Sequence, residues 1–176
     1  FFNRTFGKSN VRLSNARSIQ SITLKVQKRK DATIQIPDLS NEFQQVIEKT
    51  NEHTILKITV PDMLKQPVAR VENSNSDMRD YLEANSLINS DDATIVTLAK
   101  EITKDITSTY DKCLALETWV TQNMNFDMGI VLAPASEVVK ERKGTCASYT
   151  TLLAAMFRAI GVPARYNMGF VYMGGI

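Results

Sequence analysis

The sequence predicts an α+β protein, with a small antiparallel β part first and a helical half after it. Three observations predict this. Short β-branched runs fill the first 72 residues of the chain. Apolar residues recur at spacings of three and four from Asp91 onward. An Asn/Ser/Asp-rich stretch separates the two textures. The expected organisation is a β-sandwich-like or β-sheet domain over residues 1–72, a linker over 73–92, and a helical core over 93–176.

The strands come first. "SITLKVQ" (21–27) and "ATIQIP" (32–37) flank the charged "KRKD" and read as a hairpin. "FQQVIEK" (43–49) and "HTILKITV" (53–60) flank "TNE" and read as a second hairpin, with Pro37 and Pro61 closing strand ends. Within the polar stretch 71–92 one short turn of helix is expected near Tyr81.

The helices follow. Asp91 and Asp92 sit before Ile95, Leu98, Ile102 and Ile106, so a helix capped by aspartate is expected there. "STYDKCLALETWVTQNM" begins at a Ser-Thr cap and puts Tyr110, Cys113, Leu116, Val120 and Met124 on one stripe. "PASEVVKERK" reads as a short helix with Pro134 at its first turn. In the last helix Tyr149, Leu153, Met156 and Ile160 step by four, three and four. Gly161 suits the position just past its end, and Pro163 prevents continuation. Residues 164–173 then read as a strand.

Composition excludes several function classes. Hydrophobic residues make up 43% and charged residues 23%, the balance of an ordinary folded domain. No apolar run approaches the ~18–20 residues of a membrane span. The net charge is +2, and residues 1–72 hold 12 Lys/Arg against 7 Asp/Glu. That basic excess is scattered, with "KRK" as its one run, so no nucleic-acid partner is expected. With one histidine and two well-separated cysteines, neither a disulfide framework nor a metal-ligand cluster is expected.

Cys146 is the candidate for chemistry. Gly144 suits a tight helix entry, Thr145 suits an N-cap, and Cys146 falls in the first turn. Unpaired N–H groups and the positive dipole end favour a sulfur anion there. The same donors suit an oxyanion. The residues alone leave two readings open, a nucleophile or a small structural residue. Cys113, on an apolar stripe, reads as core.

The residues around Cys146 carry a resemblance. "GTCASYTTLLAAMFRAIGVPARYNMGFVY" is similar to the core motif of the transglutaminase-like superfamily. Gly144, Cys146, Arg158, Ala159, Gly161, Val162, Pro163, Ala164, Arg165, Gly169 and Phe170 fall in the family's order. The upstream helix and the Phe126-Asp127 pair resemble the family's preceding segment. Residues 80–176 carry the likeness well, and the layout resembles bacterial members with an N-terminal β domain.

The resemblance implies a papain-like α+β fold and a Cys-His-Asp triad with Cys146 as its nucleophile. It implies acyl transfer on amide or peptide bonds through a thioester, by hydrolysis or transamidation, with a protein or peptide substrate. It implies no metal or organic cofactor, and a place in the cell envelope or outside the cell. The family's His and Asp follow the strand at which this chain stops, so the core is expected to be incomplete at its C-terminal end. The chain alone is then expected to be inactive. The one histidine, His53, reads as a partly exposed strand residue. Trp119, Arg158 and Arg165 read as packing or structural residues, Tyr149 as a core residue or part of the cleft lining, and Asp127 as the holder of a nearby loop. The alternative function is a non-catalytic scaffold or binding module on the same fold.

Overall fold

The computed structural model describes residues 11–27, 40, 43–60, 76–129 and 132–169. Among these residues the architecture is α+β, as predicted: a three-stranded antiparallel sheet, then four α-helices. The chain divides into two compact units, one built on the sheet and one spanning Val71–Gly169.

In the first unit, strands β1 (Ser21–Gln27), β2 (Gln44–Lys49) and β3 (His53–Thr59) form a sheet in the order β1-β3-β2. The β2–β3 hairpin is the one the "TNE" turn predicts; the Thr50 N–H bonds the His53 carbonyl at 2.8 Å. β1 also pairs with β3, from Ser21 opposite Thr59 to Gln27 opposite His53. The expected partner of β1, residues 32–37, lies outside the described residues. Ile47 has no opposite number on β3, a bulge between Val46 and Glu48. Central β3 carries the buried Thr54 and Leu56, whereas β1 and β2 are mostly exposed.

In the second unit, a 3₁₀ turn at Ser76–Tyr81 ends where the sequence expects a short helical turn. The stretch expected as a linker is packed at its C-terminal end. Ile88 is buried, and Asn89 exchanges hydrogen bonds with Ser136 at 2.6 and 3.0 Å. Helix α1 (Ala93–Thr103) starts at Asp92, whose carboxylate accepts from the Thr94 and Ile95 N–H groups. It ends before Ile106; its buried row is Ile95, Ala99 and Thr103. Helix α2 (Thr109–Asn123) is capped by Ser108. Its inward stripe is Leu116, Val120 and Met124, while Tyr110, expected on that stripe, is exposed. The stripe needs only the residues that face neighbours, and Tyr110 lies in the first turn, beyond their reach.

Strand β4 (Asn125–Phe126), helix α3 (Ala135–Glu141), strand β5 (Lys143–Gly144) and helix α4 (Cys146–Ala159) complete the unit. α4 packs against α1, α2 and α3. The buried face is therefore not the predicted stripe: of Tyr149, Leu153, Met156 and Ile160 only Met156 is fully buried, and burial falls instead on Ser148, Thr151, Leu152, Ala154, Ala155 and Arg158. Gly161 ends α4 at φ 81. Its N–H bonds the Arg158 carbonyl and the Val162 N–H bonds the Phe157 carbonyl, both at 2.9 Å, a Schellman closure. The strand expected from residue 164 is not formed over 164–169. A strand needs a ladder partner, and Ala164 instead bonds Tyr81 and Arg158. Residues 170–173 lie outside the described residues.

Candidate active site

Cys146 is the first residue of α4, and it is exposed. The chain reaches it along β5, which pairs in parallel with β4: Asn125 lies opposite Lys143 and Phe126 opposite Gly144. The Asn125 N–H donates to the Arg142 carbonyl and the Asp127 N–H to the Gly144 carbonyl, each at 2.9 Å. Gly144 is buried and has φ 151, backbone that residues with a Cβ rarely adopt. Thr145 is the N-cap of α4, with extended backbone, and its side chain caps none of the first-turn N–H groups. The sulfur thus stands at a helix N-terminus that the Thr145 side chain does not cap.

The surrounding residues divide into supports and bystanders. Arg158 is buried; its guanidinium donates to the Ala164 carbonyl at 2.6 and 2.9 Å and also to the Glu83 carbonyl. Arg165 donates to the Tyr81 hydroxyl at 3.2 Å and stacks on its ring at 5.4 Å. Arg165 ties the segment after α4 to the 3₁₀ turn, and Arg158 ties it to Glu83 just beyond that turn, the structural hydrogen bonding expected of them. Tyr149 and Trp119 are partly buried against the core. The Asp127 carboxylate accepts from the Gly129 N–H at 2.8 Å and so holds the turn after β4. Ser148 is buried, and its hydroxyl has no hydrogen-bond partner among the described residues.

His53 belongs to the other unit. Its Nε2 lies 3.1 Å from Glu48 and its Nδ1 3.1 Å from the Thr50 hydroxyl, both in the β2–β3 hairpin. Cys113 sits half-buried on α2, and burial pushes its thiol pKa up from 9.0. Among the described residues no three His, Cys, Asp or Glu side chains converge to hold a metal. No helix among them is long and apolar enough to cross a membrane. A surface groove of 430 Å³, lined by Ile102, Asp111, Leu114, Thr118 and Trp119, does not include Cys146. Its one ionisable side chain is the Asp111 carboxylate, and it holds no thiol.

Sequence reasoning missed one feature here. Arg142 ends α3 in the left-handed conformation, φ 51 and ψ 37, and its guanidinium lies 5.4 Å from the centroid of the Trp119 ring. No periodicity signals it, since left-handed backbone is usually announced by glycine or asparagine.

Comparison with known proteins follows this geometry. Residues 96–175 match the profile of the "Transglutaminase-like superfamily". Among solved structures, a "putative cysteine protease from Cytophaga hutchinsonii" aligns at 18% identity with a TM-score of 0.54, covering 82% of this chain and 60% of its own. A "putative protease from Parabacteroides distasonis" aligns at 15% identity with a TM-score of 0.36, covering 82% of this chain and 30% of its own. The chain therefore spans 60% of the length of the Cytophaga protein, and that likeness concerns the fold. Among curated proteins no significant match is found.

Proposed function

Since residues 96–175 belong to the transglutaminase-like superfamily, a family of cysteine-dependent hydrolases and acyltransferases, we propose that Cys146 is the nucleophile of this protein. The observation that carries the reading is the exposed thiol on the first residue of α4, at a helix N-terminus.

The chemistry follows from that placement. The sulfur attacks the carbonyl carbon of an amide or peptide bond, and the carbonyl electrons move to oxygen. First-turn N–H groups of α4 are suited to receive that oxyanion. Collapse expels the amine, which takes a proton, and leaves a thioester on Cys146. Water then yields an acid, or a second amine yields a new amide, and the thiol is released. The proton transfers need a base and acid partner. The family resemblance implies that this partner is a His oriented by an Asp; the His53 ring is hydrogen-bonded within the β2–β3 hairpin. The substrate class is protein or peptide.

A second reading, a binding module on the same fold, draws on one observation: His53 is the only histidine of the sequence. One experiment separates the two. The full-length gene product is treated with p-nitrophenyl acetate, and the acetylated residue is located by peptide mass spectrometry. Acetylation of Cys146 in preference to Cys113, abolished by Cys146→Ala, is the expected result. Equal or absent modification of Cys146 removes the nucleophile assignment and leaves the binding module.

A further inference from the structure

Arg142 occupies a conformation that glycine adopts freely and that an arginine adopts only against steric resistance. Among the described residues it is the one non-glycine with positive φ. What offsets that resistance lies in its contacts. Its N–H closes α3 on the Val138 carbonyl at 2.8 Å, a bond any residue with an N–H could make here. Its carbonyl accepts from the Asn125 N–H at 2.9 Å. Its guanidinium covers the Trp119 ring at 5.4 Å, within cation–π reach.

The two last contacts fall on one stretch of chain. Trp119 lies in α2, and Asn125 opens β4 directly after it. The Asn123 side chain donates to the Trp119 carbonyl at 2.8 Å and fixes the end of that helix. Arg142 therefore grips the α2–β4 stretch at two points, by side chain and by backbone. One point would leave a hinge; two points set an angle. β5 starts at the next residue and leads through Gly144 and Thr145 to Cys146.

We propose that Arg142 is a positioning residue: its stack on Trp119 sets the angle at which β5 delivers Cys146 and the α4 N-terminus past β4. This rests on the reading of Cys146 as the nucleophile. The geometric consequence is specific. Acylation requires sulfur, carbonyl and oxyanion donors in line. Alkylation by iodoacetamide requires an accessible thiolate, which moves together with the α4 N-terminus, and no oxyanion to hold. Loss of the stack should therefore slow acylation and spare alkylation.

The test compares both rates at Cys146 in the full-length gene product, using p-nitrophenyl acetate and iodoacetamide. Cys113 alkylation and the melting temperature monitor folding. Arg142→Gly and Arg142→Asn keep left-handed backbone accessible and remove the guanidinium. Each should slow acetylation about tenfold, the scale of a small misplacement of reacting groups, with alkylation unchanged. Arg142→Lys keeps the charge without the planar stack and should recover part of the rate. Trp119→Phe weakens the stack from the other side and should fall between. Parallel loss of both rates, or loss of neither, overturns the positioning role while wild-type acetylation upholds Cys146. If wild-type Cys146 is not acetylated, the nucleophile reading falls, and this inference falls with it. Should the two guanidinium-deleting variants unfold, Trp119→Phe decides the outcome alone.

Discussion

At the start of α1, Asp92 accepts hydrogen bonds from two backbone N–H groups; at the start of α4, the Thr145 side chain caps none. Both positions carry a residue type able to cap. The first helix uses that ability and gains local stability. The last is held by other means. Leu152, Ala155 and Met156 are fully buried, and the Schellman closure at Gly161 satisfies its far end. α4 is thus fixed by its flank and C-terminus, and its first turn, beside an exposed sulfur, takes no cap from the Thr145 side chain. Stability at one helix start and access at the other are two uses of the same dipole and the same orphan N–H groups.

The largest expected effect on this comparison comes from the approach to α4. Gly144→Ala puts a Cβ on buried backbone at φ 151. It should cost about 1–3 kcal/mol, the usual cost of a residue forced into a sparsely populated conformation. Urea unfolding would read the loss. Acetylation of Cys146 should fall with it, since relief of the strain requires β5 to shift against β4. A fully stable, fully acylated variant would show that the entry to α4 has no need of glycine.

A smaller effect is expected at α1. Asp92→Ala removes the acceptor for the Thr94 and Ile95 N–H groups, and should cost about 1 kcal/mol. It should leave Cys146 reactivity as in the wild type, because the loss is confined to stability. A change at Cys146 would mean the two helix starts are coupled, and the contrast drawn between them would fail.

Much of this was legible in the sequence, for local reasons. Gly161 followed by Pro163 announces the end of α4, because backbone chemistry decides it within a few residues. Asp92 announces α1 in the same way, and "TNE" announces the β2–β3 hairpin. The position of Cys146 at a helix start was legible from Gly144 and Thr145. Non-local facts were not. The pairing of β1 with β3 joins segments about thirty residues apart, and no spacing encodes it. The burial of α4 on most sides depends on α1, α2 and α3 closing around it, which its own period cannot report. Tyr110 fits the α2 stripe by number and lies outside it in space. The left-handed turn at Arg142 is the clearest case. Its support is a tryptophan on another helix, so the sequence shows an ordinary basic helix end.

The two cysteines extend the comparison to a third and smallest effect. Cys146 is exposed, whereas Cys113 is half-buried on α2, and burial pushes its thiol pKa above 9.0. Well below pH 9.0 the folded and unfolded chains both keep the Cys113 proton, and the group contributes no pH dependence. As pH rises past 9.0 the unfolded chain releases its proton first, because its thiol has the lower pKa. The unfolded state then binds fewer protons than the folded one, so stability falls with rising pH until the folded thiol ionises too. Cys113→Ala removes that slope. Melting temperatures of wild type and variant, taken in parallel across pH 9.0, should run together well below it, and the wild type should fall faster as pH rises through it. Tyrosine and lysine titrations act on both proteins alike and cancel in the difference. If the two curves stay parallel throughout, the α2 surface admits solvent to Cys113, and the contrast between a withheld thiol and a presented one disappears.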